Sequence, residues 1–464
     1  MRRLTLTTLL VVIIALAGAA TADARSVTKA VGEIRLLITP EAERNAYLDE
    51  IANQLHASFV RIDVSWNVAE PARDSYDDAY LANLKATVDA ARARGLHLLV
   101  NVVFTPEWAS DHSLWSDPPA GYTANVYDQC YAIDPDSLPD LQVFASYLAT
   151  MLGPEIRRYE CWNEPNLWPY IWPQRKDGDK YFAARVYNKM LRAFSLGIRA
   201  ANPDALVVGG ATGPIGFNTR YSTSPQRFAG FLRRANAGRY LDIYSHHPYT
   251  PGASANMAPD GKPNNPQTTV TLYNIKTLLD MFPAKPFYLS EYGYNTQATM
   301  AFGGSKVSEA TQALYLRRAY SLAAKFRQVS MLFWYQVQDI SNTGSYDMYS
   351  GVYTGLRNLN GSRKPAWDAF VGGNHLTLSV PSRATSGSAF WISGALTNVR
   401  LGALEGRPLV IQRHYPGGCW TTVSKVSSNS AGSFRISAKQ RRGASWRVAY
   451  RGVASSPTMY VGAK

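Results

Sequence analysis

The chain of 464 residues predicts an α/β architecture, a (β/α)8 barrel followed by a small all-β sandwich. Two observations carry the barrel: eight short β-rich runs alternate with helical patterns from about Glu33 to Val371, and no glycine-rich phosphate loop follows the first run, which disfavours a doubly wound sheet. A third carries the sandwich, since beyond Gly372-Gly373 the pattern changes to short alternating runs separated by Gly, Ser and Asn. An apolar fraction of 46% with 18% charged residues is that of a globular protein and excludes a disordered chain.

The first 24 residues read as a secretory leader: Arg2 and Arg3, an apolar run from about Leu9 to Ala20, and Ala22-Asp23-Ala24 as a small-residue site cleaved after Ala24. The run is shorter than the ~20 residues that span a bilayer. An extracellular protein, secreted or wall-associated, is therefore expected. The candidate strands then follow at 33–38, 59–64, 96–104, 157–162, 205–210, 241–246, 286–291 and 329–335. Between them lie helical patterns such as 79–95, stopped by Gly95, and 181–204, ended by Asn202-Pro203, and the last is 364–370. The longest insertion, Thr105 to about Asp140, follows the third strand, with others after the fourth, sixth and eighth. All follow strands, so they gather on the face where a barrel carries its chemistry. The expected division is 1–24 leader, 25–373 barrel and 374–464 accessory module.

Cysteines are too few and too widely spaced for a disulfide framework or a zinc site; Cys130 to Cys161 is the one bridge that export would allow. Seven histidines without ligand spacing predict no metal, and no organic cofactor is expected. Net charge is +14, or +13 without the leader, and +11 of it lies between His375 and Lys464, where nine Arg and three Lys face only Glu405. The barrel carries the remaining +2, so nucleic acid is not the expected partner. The basic module instead suggests an anionic cell-surface polymer.

Two glutamates end candidate strands. Glu164, in YECWNEPNLWPY, precedes Pro165, which lacks an amide hydrogen and cannot extend a ladder; Glu291, in FYLSEYGYNT, precedes the strand-breaking Gly293. Strands four and seven lie across a barrel from each other. Both carboxyl groups can thus face one cleft, which is what glycoside hydrolysis needs: an acid to protonate the leaving oxygen and a carboxylate on the opposite side of the sugar.

Trp162-Asn163-Glu164-Pro165-Asn166 with Ser290-Glu291-Tyr292-Gly293 resembles clan A retaining glycoside hydrolases, and TPEWAS (105–110) makes family 39 the nearest resemblance. The resemblance implies that Glu164 is the acid/base, Glu291 the nucleophile, and Asn163 a ligand of the sugar 2-hydroxyl. It implies that Arg61 keeps the nucleophile ionised, that His247 and Tyr249 reach the nucleophile or the sugar, and that Trp334 floors the subsite where the ring is cleaved. Of His246 and His247, only one should face the cleft, because neighbours on a strand point oppositely; His247 is the better candidate. Trp108, Trp115, Trp168, Tyr170 and Trp172 fall in cleft-face loops, where several aromatic platforms would suit a polysaccharide. The tail, with Ser393-Gly394, 407–413 and 419–423, resembles bacterial Ig-like modules. The expected activity is double-displacement hydrolysis of a polysaccharide, endo-acting in preference to an exo-acting β-xylosidase-like glycosidase. The alternative outside enzymes is a carbohydrate- or wall-binding protein on a barrel that has lost its activity.

Overall fold

The computed structural model describes residues 27–120, 128–251, 256–298, 305–341, 352–372, 374–398, 402–450, 454–455 and 459–464. The leader expected at 1–24 lies outside them. Eight parallel strands close into a barrel in sequence order: β1 (Thr28–Gly32), β2 (Phe59–Ser65), β3 (His97–Val103), β4 (Arg158–Cys161), β5 (Leu206–Thr212), β6 (Ile243–His246), β7 (Phe287–Tyr292) and β8 (Val329–Tyr335). The doubly wound alternative is excluded by the β1–β8 pairing, which runs from Thr28 opposite Met331 to Gly32 opposite Tyr335.

One strand was misplaced by the sequence pattern. The apolar run at 33–38 is a 3-10 turn, Ile34–Leu37, and the strand is the preceding TKAVG. Glu33 makes the break: its carboxylate accepts from the backbone N–H of Arg35 and of Val337, so the chain turns where alternation would have continued it. The true strand was hidden by Lys29, whose buried ammonium donates to the carbonyls of Leu55, Phe370 and Val371 at 2.7, 2.9 and 3.1 Å. A lysine in a core strand is readable only once those carbonyls are known.

Inside the barrel, Ala30, Phe59, Leu99, Val208, Ile243, Tyr288, Met331 and Phe333 form a plug, while the alternate positions pack outward on the helices. The helix Phe182–Ala201 shows the pattern well. Met190, Leu191, Phe194 and Ile198 are buried along one face, and Asn202-Pro203 ends it where proline forbids continuation. The helix Asp78–Ala93 is capped by the Asp77 carboxylate accepting from the N–H of Tyr80, and Gly95 follows in the left-handed region (φ 74°).

The C-terminal region is a separate pair of sheets. One has the order Arg383–Ala384, Met459–Ala463, Ala444–Tyr450, Pro408–His414, Thr421–Ser427; the other joins Gly402–Ala403, Ala389–Asn398 and Ser433–Lys439. Trp446, Ile392, Leu396, Leu409, Ile411, Phe434, Val448 and Val461 fill the space between them, as in an Ig-like sandwich. Cys130, Cys161 and Cys419 are all unbridged thiols.

Candidate active site

At the C-terminal end of the barrel, polar groups from β2, β4 and β7 and from the turn after β4 converge on one arginine. Arg61, buried on β2, donates through Nε to Glu160 (2.7 Å), through Nη1 to Glu291 (2.9 Å) and through Nη2 to Oδ1 of Asn163 (2.7 Å); its Nη1 also lies 2.9 Å from Asp63. Burial alone would depress its pKa, but Asp63, Glu160 and Glu291 outweigh burial and hold it well above the ordinary arginine value. Asn163 is thereby oriented: with its oxygen taken by Arg61, its amide N–H groups are left for a ligand.

Glu291 reaches this cluster through a backbone irregularity. Between Leu289, opposite Leu332, and Tyr292, opposite Trp334, β7 carries one residue more than β8. This bulge lets Ser290 and Glu291 both face the cleft while Tyr292 packs outward. Strict alternation would have turned Glu291 into the helix layer. Its second oxygen accepts from the Tyr249 hydroxyl at 3.1 Å. Burial raises the Glu291 pKa, and His247 and Arg61 pull against it without cancelling it, so the carboxyl titrates above the usual range. Tyr249, raised by burial and then by Glu291, stays a protonated donor.

Glu164 arrives by a different route from the one its proline suggested. β4 stops at Cys161, three residues before Glu164, because Trp162 (φ 70°) and Glu164 (φ 37°) both enter the left-handed region. The chain leaves the ladder there, and the Glu164 N–H donates instead to Ala211 O of β5 at 2.9 Å. A bulge in β5 at Gly210 and Ala211 presents that carbonyl. Gly213 completes the seat: a Cβ there would stand 2.9 Å from the Glu164 carboxyl carbon. Asn166 pins the turn, its oxygen accepting from Gly213 N at 2.7 Å and its amide donating to Thr223 O at 2.9 Å.

His247 joins the two glutamates. Its Nδ1 lies 3.1 Å from Glu164 Oε1 and 3.7 Å from Glu291 Oε2, and its Nε2 3.1 Å from Ser290 Oγ. Burial would lower its pKa; Glu291 and Glu164 reverse that and raise it. Two oxygens sharing one neighbour at those distances reach the roughly 6.5–9.5 Å spacing of inverting pairs only from nearly opposite sides of it. His246 faces the other way, with Nε2 donating to Val270 O and Nδ1 accepting from Thr212 Oγ1; burial pushes its pKa down to about 3.

The aromatic residues divide. Trp334 is fully buried on the outer face of β8, edge-on to Tyr292, with Nε1 donating to Thr354 O, so it cannot floor a sugar subsite. Alternation gives the inward place to the next residue, Tyr335, whose ring lies against Gly32 where a Cβ would approach it to 2.9 Å. Trp172 is likewise buried and donates to Asp117 O, which removes it as a platform. Trp108 packs edge-on against Trp66 and donates to Glu70 O, Trp115 donates to Ser110 Oγ, and Trp168 packs half-buried on the core. Tyr170, stacked with Phe104 at 6.0 Å, does reach the cleft. A recess of about 460 Å³ opens there, bordered by Asn163, Asp63, Ser65, Phe104, Tyr170 and Ile38.

Residues 25–335 match the family model described as Cellulase (glycosyl hydrolase family 5). The chain belongs to glycosyl hydrolase family 5. It is a glycosyl hydrolase of clan A, whose mechanism is retaining, as the resemblance of its two strand-end motifs implied; the matching model is that of family 5, while family 39 is present among the structural matches. One of these is a family 39 glycoside hydrolase from the gut symbiont Bacteroides cellulosilyticus WH2, 16% identical, covering 90% of this chain and 81% of that one with a TM-score of 0.52. Another is a GH5_18 enzyme from Streptomyces cattleya in complex with Manb1-4GlcNAc, 17% identical over 75% of this chain and 79% of that one, TM-score 0.53. A GH5_18 enzyme from Bifidobacterium longum subsp. infantis is 15% identical, over 76% and 82%, TM-score 0.52. At these identities the likeness is one of fold. No curated protein sequence is similar to the chain.

Proposed function

We propose that the family 5 barrel hydrolyses a polysaccharide by double displacement, with Glu164 as acid/base and Glu291 as nucleophile. The observation that supports this is the shared contact of both carboxylates with His247 Nδ1, with Glu291 further held by Arg61 and Tyr249. In the first step Glu164 gives its proton to the departing glycosidic oxygen while a Glu291 oxygen attacks the anomeric carbon; in the second, Glu164 takes a proton from water, whose oxygen displaces Glu291. Arg61 and Tyr249 stabilise the carboxylate as it becomes the leaving group. Asn163 donates to the sugar 2-hydroxyl, and Tyr335 takes the ring-facing place at the strand end.

Endo action is the favoured reading. The recess beside Asn163, with Tyr170 and Phe104, extends the site away from the two glutamates and suits further sugar units. Exo action is the alternative. Export through the leader at 1–24, an extracellular location and tethering of the basic module to an anionic polymer belong to the same proposal; among the described residues no helix is long and apolar enough to cross a membrane. The test is hydrolysis of β-glucan, xylan, mannan, galactan and bacterial exopolysaccharides, with Manβ1-4GlcNAc added because a family 5 neighbour was solved with it. Products followed by NMR should keep the anomeric configuration, and Glu291→Gln should abolish turnover. Inverted product or undiminished hydrolysis by Glu291→Gln refutes the assignment.

A further inference from the structure

The C-terminal sandwich holds a second concavity, of about 570 Å³, bordered by Gly387, Arg413, Tyr415, Lys439, Gln440 and Arg441. It is built rather than incidental. Arg413, on Pro408–His414, lies 4.5 Å from the centroid of the Tyr415 ring, and Arg442, from the turn after Ser433–Lys439, lies 5.0 Å from the same centroid. Arg413 Nη1 donates to Lys439 O at 3.0 Å, and its Nε, shielded from solvent, has no hydrogen-bond partner among the described residues. The base is rigid: buried Gln440 accepts from the Trp446 indole N–H at 2.9 Å and donates to Val461 O at 3.0 Å. Arg413 and Arg442 thus flank one ring, and Lys439 and Arg441 border the same concavity. Among the described residues none of them has a carboxylate within ion-pair distance, and Glu405 is the only acidic side chain from His375 to Lys464.

Like charges gathered without a counter-ion repel, and a fold keeps them together at a cost that a bound anion removes. Guanidinium groups match a carboxylate in planar two-point fashion, and their weakly hydrated faces accept apolar sugar surface. The size falls in the range of roughly 300–1,000 Å³ for small-ligand clefts, whereas a duplex or a bilayer surface calls for an extended cationic face. We propose that this concavity binds the carboxylate-bearing residues of an acidic polysaccharide. The inference rests on the reading of the module as an anionic tether and adds to it a defined site and ligand chemistry.

The test uses the full chain and polygalacturonate at low salt, with fully methyl-esterified polymer as the uncharged control. Lys439→Gln/Arg441→Gln/Arg442→Gln removes three charges at the concavity; Arg383→Gln/Lys425→Gln/Arg435→Gln removes three from exposed positions elsewhere in the module. Thermal melts establish that both fold. Expected are binding to the charged polymer only, a loss of about tenfold or more in the first triple variant, and a loss below about threefold in the second. Equal losses in both overturn the site while leaving a diffuse charge tether. Absence of binding at low salt overturns tether and site together. Binding to anionic vesicles or duplex DNA at least as tight as to polygalacturonate overturns the polysaccharide ligand.

Discussion

Arg61 and Glu160 are two ends of one buried ion pair, yet their neutralisation should move the catalytic pH profile in opposite directions. Arg61 Nη1 stands 2.9 Å from Glu291, and an adjacent cation lowers a carboxylate pKa by roughly 1–3 units. Arg61→Gln removes that pull, so the acid limb of kcat/KM, which reports ionisation of the nucleophile in the free enzyme, should rise by about 1–3 pH units. Glu160→Gln does the reverse. It takes away a carboxylate 2.7 Å from Arg61, freeing more of the guanidinium's field for Glu291. The acid limb should then fall, by less than one unit. Its maximal rate should also drop, because Glu160 fixes the guanidinium that in turn orients Asn163; a hydrogen bond to a charged group is worth about 1.5–3 kcal/mol, or roughly ten- to a hundredfold in rate. The assay is kcat/KM against pH on a chromogenic glycoside, with circular dichroism to establish folding. An acid limb that stays put in Arg61→Gln, or that moves the same way in both variants, refutes the electrostatic account of Glu291.

Three further outcomes follow from distances at the site. Tyr249→Phe deletes one donor to Glu291 and should lower kcat/KM by about ten- to a hundredfold with the melting temperature nearly unchanged, as steady-state kinetics would read. Gly213→Ala sets a Cβ 2.9 Å from the Glu164 carboxyl carbon and 2.9 Å from Leu167 Cδ1; the displaced carboxyl should lose about a hundredfold in kcat while substrate binding persists. His246, held neutral with a pKa near 3 against 6.5 in the unfolded chain, leaves stability intact above about pH 6.5 and subtracts from it as pH falls towards 3, since only the unfolded chain takes up the proton. Between pH 7.5 and pH 5 that amounts to about 2 kcal/mol, so denaturant midpoints of wild type should decline relative to those of His246→Gln over that interval.

What the sequence made legible follows from how its signals are encoded. Seven of the barrel strands were readable because runs such as VSMLFWY are buried on both faces and bounded by turns, and β8 spans that run from Val329 to Tyr335. The first was not, because its buried lysine depends on carbonyls supplied from elsewhere. The glutamate pair was visible as residue types at two strand ends; its exact aim was not, because the β7 bulge and the left-handed Trp162 and Glu164 break the period on which alternation relies. The same alternation, applied along β8, would have favoured Tyr335 over Trp334. Glu160 did leave a signal: a carboxylate inside a four-residue core strand, where a charge persists only when paired. Gly213 left none, since it matters only through Glu164 and Leu167, partners distant in the chain.

Lys29 fastens the first strand to carbonyls 341 and 342 residues further on. At translation rates of about 5–20 residues per second, β1 therefore waits roughly 17–70 s for carbonyls that accept from its ammonium. This contact can therefore form only after all eight strands have been made, since Phe370 lies beyond the end of β8 at Tyr335. A chain that stops short of Phe370 lacks the two carbonyls, at 370 and 371, that accept from this buried ammonium, so the contact that fastens the finished domain is denied to every incomplete one.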